Sequence, residues 1–144
     1  MKMKVKVKYF NQNIDKLEKI AEGDLIDLRA AETVDIKAGE AKKVRLGVGM
    51  KLPEGYHAEV YPRSSLFKNF HVLLTNSVGV IDNCYCGDND EWCAMLYATE
   101  NTSIWENSKI LQFRIVKNME SLEFEEVEHL DSKSRGGYGT TGVY

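Results

Sequence analysis

No stretch of the 144 residues approaches the ~20 consecutive apolar residues that a membrane-spanning helix needs. The first ten residues alternate lysine with apolar side chains, so the continuous apolar stretch of a secretory signal is missing there. The expected location is the cytoplasm, with no membrane partner. Cysteine is scarce: three are present, Cys84, Cys86 and Cys93, and an odd number builds no disulfide framework. On a strand, Cys84 and Cys86 would face the same side. They lack the gap and the second pair of a zinc site, and His57, His71 and His129 supply no ligand pattern. The chain has no Gly-x-x-x-x-Gly-Lys-Ser/Thr loop, no dinucleotide fingerprint and no nucleophile elbow. It also lacks a basic block. With a net charge of −3 there is no general Lys/Arg surface for nucleic acid, and no such partner is expected. A local anion site needs only a few placed cations and stays open.

What is present points to strands. Lys2 to Tyr9 alternates with period two, as a strand with one wet face does. Short apolar stretches separated by turn residues follow at 43–50, 57–61, 72–74, 78–81, 93–98 and 110–116, with 127–130 as a further candidate. Ile14, Leu17 and Ile20 would suit a short helical turn within residues 11–23. Many short strands joined by polar turns predict an all-β sandwich, barrel or jelly roll. The length suits one domain with its own core and no linker. Residues 131–144 differ, being rich in Gly, Ser and Thr, which suits a flexible C-terminal arm attached to a domain of residues 1–130.

Four clusters carry chemistry. Asp27-Leu28-Arg29-Ala30 sets opposite charges two apart, on one face of a strand. Pro62-Arg63-Ser64-Ser65 places a guanidinium beside two hydroxyls after a proline, a group able to grip phosphate or simply to form a polar turn. Residues 76–87 read as a hairpin with Asp82-Asn83 near its tip; an aspartate there is either structural or functional. Arg135-Gly136-Gly137-Tyr138-Gly139-Thr140-Thr141-Gly142 could close over a phosphate chain, or simply fray.

The order of these clusters says more than any one of them. Asp27-Leu28-Arg29-Ala30, Pro62-Arg63-Ser64-Ser65, Gly79-Val80-Ile81-Asp82-x-x-Tyr85-x-Gly87, Ile110-Leu111-Gln112 and Gly136-Gly137-Tyr138-Gly139-Thr140-Thr141-Gly142 together resemble the motifs of the trimeric dUTPases. The likeness runs from Asp27 to Gly142. The Gly87-Asp88-Asn89-Asp90-x-Trp92 stretch is similar to the compact branch from phages and prophages of Gram-positive bacteria.

The resemblance implies a distorted jelly roll that forms a homotrimer with shared active sites. The implied reaction is Mg²⁺-dependent hydrolysis of dUTP to dUMP and pyrophosphate, which lowers dUTP and supplies dUMP for dTTP synthesis. Asp82 matches the catalytic base. Asp27 and Gln112 match residues that hold the Mg²⁺ through water, in keeping with the few protein ligands of that ion. Arg63, Ser64 and Ser65 match the phosphate-side segment. Asn76, Gly79 and Ile81 match the uracil-reading strand, and Tyr85 the ring beneath the deoxyribose. Arg135, Gly137 and Tyr138 match the closing arm.

Departures leave alternatives open. Lys133 rivals Arg135 for the γ-phosphate. Trp92 rivals Tyr138 for stacking on uracil, and Cys84 replaces a common second carboxylate. A dCTP deaminase would share the Pro-Arg-Ser-Ser segment but lack Asp82. A protein acting chiefly through contact with a regulatory partner is the reading from another class.

Overall fold

Alternation along the strands sorts side chains between core and solvent, and the elements form where it is clearest. The structure is a computed structural model that describes residues 2–144. In chain order the elements are β1 (Lys6–Tyr9), β2 (Ile26–Arg29), β3 (Val34–Ile36), β4 (Ala41–Arg45), β5 (Val48–Lys51), β6 (Tyr56–Pro62), α1 (Leu66–Phe70), β7 (Val72–Leu74), β8 (Gly79–Ile81), β9 (Cys93–Ala98), β10 (Thr102–Ile104) and β11 (Lys109–Lys117). In β9, Ala94, Leu96 and Ala98 are buried while Met95 and Tyr97 are exposed, the period-two pattern of a half-buried strand.

Four antiparallel sheets result. The largest runs β2-β11-β6-β8, a second runs β4-β9-β7, and β1-β5 and β10-β3 form pairs. Their inner faces share one core that includes Leu28, Val44, Trp92, Leu96 and Phe113. Trp92 and Phe113 meet edge to face with ring centroids 5.2 Å apart, a favoured aromatic geometry. No helix among the described residues is long and apolar enough to cross a membrane.

The all-β class expected from the spacing is what forms, with several local differences. Residues 11–23 hold no helix; Ile14 is instead buried against the turn at Gly47. The stretch 43–50 is not one strand. Gly47, at φ +72°, ends β4 and turns into β5, and a Cβ there would lie 2.7 Å from the Ile14 Cδ1. Residues 76–87 are not a hairpin: β8 pairs with β6, and residues 83–87 beyond the Asp82 turn form no strand to pair back with it. Cys84 and Cys86 fall in irregular structure after β8. Residues 127–130 are exposed and form no strand. Regular structure ends at Lys117, and residues 118–144 lie exposed.

Candidate active site

Asp27 and Gln112 are register partners on β2 and β11, so their side chains share the outer face of the large sheet. The strand β6 ends at Pro62, directly opposite Leu111, which delivers Arg63 and Ser64 to the end of the sheet beside Gln112. The Arg63 Nε lies 3.0 Å from the Asp27 Oδ1, and the Lys109 Nζ lies 3.5 Å from the Oδ2. Asp27 is thus held between two cations, neither of them Arg29. Arg29 turns away to Asp15 at 3.4 Å and donates to the Asn107 carbonyl at 2.8 Å. A bulge where β11 meets β2 between Lys109 and Leu111 accompanies this divergence.

Asp27, Arg63, Ser64 and Gln112 line one cleft of about 180 Å³, together with Ile20, Glu22, Gly23 and Leu25. The Gln112 Nε2 donates to the Pro62 carbonyl at 3.2 Å, which aims the amide. Ser64 is exposed, and Ser65 precedes α1 without a side-chain cap, although its carbonyl accepts from the Asn69 N–H at 2.9 Å. Outward along the same face, Glu59 joins Tyr61 and Arg114, with the Arg114 Nη2 at 3.0 Å. The Tyr61 hydroxyl, then Arg114, hold the Glu59 carboxyl below its usual range.

The remaining central residues lie at the opposite edge. The order β2-β11-β6-β8 puts three strand spacings, about 14 Å, between β2 and β8. Asn76 and Gly79 adjoin there: a Cβ on Gly79 would meet the Val60 Cβ at 3.3 Å and the Asn76 Nδ2 at 3.9 Å. Ile81 packs against the core. As the end strand of its sheet, β8 leaves backbone N–H and C=O groups facing outward. Asp82 follows it, exposed, in a turn closed by the Tyr85 N–H donating to the Asp82 carbonyl at 3.0 Å. The Asn83 Nδ2 pins this turn by donating to the Pro53 and Tyr56 carbonyls at 2.9 and 2.8 Å.

The structure therefore gathers Asp27, Arg63, Ser64 and Gln112 around one cleft, with Ser65 beside it, and places Asn76, Gly79, Ile81, Asp82 and Tyr85 on and around the edge strand β8, which pairs with β6. Arg135, Gly137 and Tyr138 join neither group, and Lys133 is also exposed. Trp92 is fully buried, so it has no face to offer a base and is a core residue. Sequence reasoning missed Lys109 and Asn83. Lys109 directly precedes Ile110-Leu111-Gln112, and Asn83 follows the aspartate it supports; an asparagine beside a turn aspartate was the available signal.

The site thus belongs to an all-β domain that gathers a carboxylate, an amide, a guanidinium and a serine around one polar cleft. A sequence model of the dUTPase family matches residues 16–142, and the chain belongs to that family. It is 51% identical over 141 residues to the SPbeta prophage-derived deoxyuridine 5'-triphosphate nucleotidohydrolase of Bacillus subtilis (strain 168), covering 98% of this chain and 99% of the relative. It is 36% identical over 146 residues to the deoxyuridine 5'-triphosphate nucleotidohydrolase of Helicobacter pylori (strain J99), covering 99% and 98%. Its fold matches a mutant dUTPase of Staphylococcus bacteriophage 80alpha with dUpNHpp at a TM-score of 0.79 and 22% identity, over 97% of this chain and 99% of that one. The Streptococcus mutans dUTPase matches at 0.71 and 21%, over 81% and 98%.

Proposed function

We propose that this member of the dUTPase family hydrolyses dUTP to dUMP and pyrophosphate in sites shared between the chains of a homotrimer, with Mg²⁺ on the triphosphate. The observation that carries this reading is that Asp27 on β2 and the strand β8 next to Asp82 lie at opposite edges of one sheet, about 14 Å apart by strand spacing. The cleft at Asp27 holds the phosphate-side groups Arg63, Ser64 and Gln112, and the β8 edge holds the base-reading strand and Asp82. A neighbouring chain that brings its β8 edge against the Asp27 edge completes the site. Residues 119–130 support such an assembly. No backbone hydrogen bond ties them to the rest of the described chain, and Leu122 and Phe124 lie exposed within them. Apolar side chains displayed in this way suit contact with a second copy.

In this reading the Asp82 carboxylate takes a proton from a water as the water oxygen bonds to the α-phosphorus. The bond from that phosphorus to the bridging oxygen breaks, and pyrophosphate leaves. Ser64 donates to the oxygens between the α- and β-phosphates, and Ser65 assists through its backbone. The Arg63 Nε is committed to Asp27, so Arg63 orients that carboxylate while its charge faces the phosphates. The outward groups of β8 near Gly79 and Ile81, with Asn76, read the uracil edge. Tyr85 lies under the deoxyribose. Arg135 or Lys133 adds charge at the γ-phosphate, and Gly137 lets Tyr138 cover the base, excluding water as the arm closes.

The residues present fit Mg²⁺ held through water. Both Asp27 oxygens already face cations, at 3.0 and 3.5 Å, so direct coordination would crowd three positive centres on one carboxylate. Waters accepted by Asp27 and by the free carbonyl oxygen of Gln112 avoid that conflict, and the ion keeps several waters in most sites. When bound, the metal neutralises charge on the triphosphate.

Pyrophosphate release from dUTP, dCTP, dTTP and UTP, measured side by side with Mg²⁺ and with EDTA, tests the proposal. Turnover confined to dUTP and lost with EDTA is expected. Equal turnover of dCTP, or no release from dUTP, would overturn it.

A further inference from the structure

Tyr85 is attached at both ends. Its backbone N–H donates to the Asp82 carbonyl at 3.0 Å, and its phenolic hydroxyl donates to the Glu91 carbonyl at 2.9 Å. The ring between them is 40% exposed. A tyrosine on an exposed turn would otherwise be free to rotate about two side-chain bonds. Burial pushes the Tyr85 phenol up, which keeps the hydroxyl protonated and able to donate.

The distal anchor is itself secured. The Arg45 Nε donates to both Glu91 carboxylate oxygens, at 2.9 and 3.2 Å, and the Gly47 N–H donates to the Oε2 at 2.9 Å. The Glu91 side chain is only 14% exposed. Its hydrogen bond, then its charge, raises the Arg45 guanidinium above its ordinary value despite the opposing effect of burial. The next residue, Trp92, is fully buried. Its N–H donates to the Val48 carbonyl at 2.8 Å, and its own carbonyl accepts from Leu46 at 2.9 Å. The segment that holds the tyrosine hydroxyl is therefore fastened to the β4–β5 turn by a charged clamp and by a core side chain. Near Gly87 the loop is closed by the Asp90 carboxylate, which accepts from the Gly87 N–H at 2.8 Å.

We propose that Glu91, clamped by Arg45, is a positioning residue that holds the Tyr85 ring as a strut and so sets discrimination between deoxyribo- and ribonucleotides. The inference rests on the proposed placement of Tyr85 under the sugar. A fixed ring leaves no room for a 2′-hydroxyl. A ring free to swing aside makes that room at little cost to the smaller deoxyribose. Neither Glu91 nor Arg45 touches substrate in this scheme; both act through the tyrosine. The insert from Gly87 to Trp92 then serves as the brace for sugar selection.

The test uses the full-length protein and two readouts. The first is the ratio of kcat/KM for dUTP to that for UTP. Tyr85→Phe keeps the ring and removes one oxygen from an exposed side chain, so folding is not at stake. It should lower the ratio roughly tenfold, the scale of one hydrogen bond, mainly through improved UTP turnover. Glu91→Ala should lower it similarly, and Glu91→Gln should restore most of the ratio because it still accepts from Arg45 and Gly47. In the double variant the two losses should not add, as expected for residues acting through one contact. An unchanged ratio in Tyr85→Phe, or additive losses in the double variant, would overturn the strut.

The second readout is the ¹⁹F signal of fluorotyrosine at position 85 without nucleotide, assigned by its disappearance in Tyr85→Phe. It should move towards the free-tyrosine position in Glu91→Ala and stay in place in Glu91→Gln. A signal that does not move in Glu91→Ala would overturn the strut even if the protein failed to hydrolyse dUTP. Absence of dUTP turnover in the wild type would count against the catalytic reading instead.

Discussion

Asp27 and Arg63, at the two sides of one cleft, are joined by an ion pair of 3.0 Å between Oδ1 and Nε. Lys109 approaches the other oxygen of the same carboxylate. The pair links the strand β2 to the turn that carries Ser64, so the groups proposed to face the metal and the phosphates are positioned as a unit. Together with Lys109 it also sets a positive charge against each oxygen of that carboxylate.

Asp27→Asn keeps the size of the side chain but removes its charge. Arg63 and Lys109 lose their common partner, and the water-mediated hold on Mg²⁺ weakens. The expected result is a rise of ~10–100-fold in the Mg²⁺ concentration giving half-maximal turnover, the usual effect of losing an outer partner of a metal site. Titrating activity against Mg²⁺ measures it; an unchanged midpoint would remove Asp27 from the metal side.

Asp82→Asn should lower turnover by ~10²–10⁴-fold, as loss of a general base does, with nucleotide binding largely kept. Ser64→Ala should be impaired at the cleft that Ser64 shares with Asp27. Chains of the two variants, unfolded together and refolded as mixed assemblies, should regain about a quarter of wild-type activity, because a symmetric oligomer then contains sites whose Ser64 and Asp82 come from intact donors. Activity no greater than the sum of the two variants would place both groups in a single chain.

Deleting residues 133–144 should leave a folded oligomer that hydrolyses dUTP poorly. These residues contribute nothing to the core, since all of them are exposed. Tyr138→Ala should show part of the loss and Tyr138→Phe should not, because stacking needs the ring and not the hydroxyl. Melting curves beside turnover separate the outcomes. Normal turnover after the deletion would make the segment a passive end.

Trp92→Ala should act on stability. Removing a fully buried indole costs about 3–5 kcal/mol, so the melting temperature should fall while the preference for dUTP over dCTP is kept. Trp92→Phe should cost less, because the indole Nε1 has no hydrogen-bond partner in the interior and phenylalanine leaves no donor unpaired. Thermal melts and the dUTP-to-dCTP turnover ratio check both statements. A change in that ratio without loss of stability would return Trp92 to the base.

Legibility in the sequence followed the range of the forces involved. β9 could be read directly because Ala94, Leu96 and Ala98 alternate with exposed neighbours. β3 and β10 could not, since each has only three residues and exists through pairing with the other. The break at Gly47 depends on Ile14, far away in the chain, filling the space beneath it. The same contrast holds in the site. Asp82, Ser64 and Gln112 stood out through motif order, yet local spacing set Arg29 beside Asp27, and the folded chain sets Arg63 there instead. Trp92 was ambiguous because an aromatic residue near a binding loop has the same local pattern whether it faces a base or the core.

The exposed stretch after β11 has one more property. Leu122, Phe124 and Val127 are interleaved with Glu123, Glu125, Glu126 and Glu128. An extended segment with apolar side chains in the open could stack in register with identical segments from other molecules. Here such a stack would set glutamate over glutamate at every layer, and like charges directly opposite oppose pairing. Glutamates placed in this way disfavour such stacking, as gatekeeper residues beside an apolar stretch do.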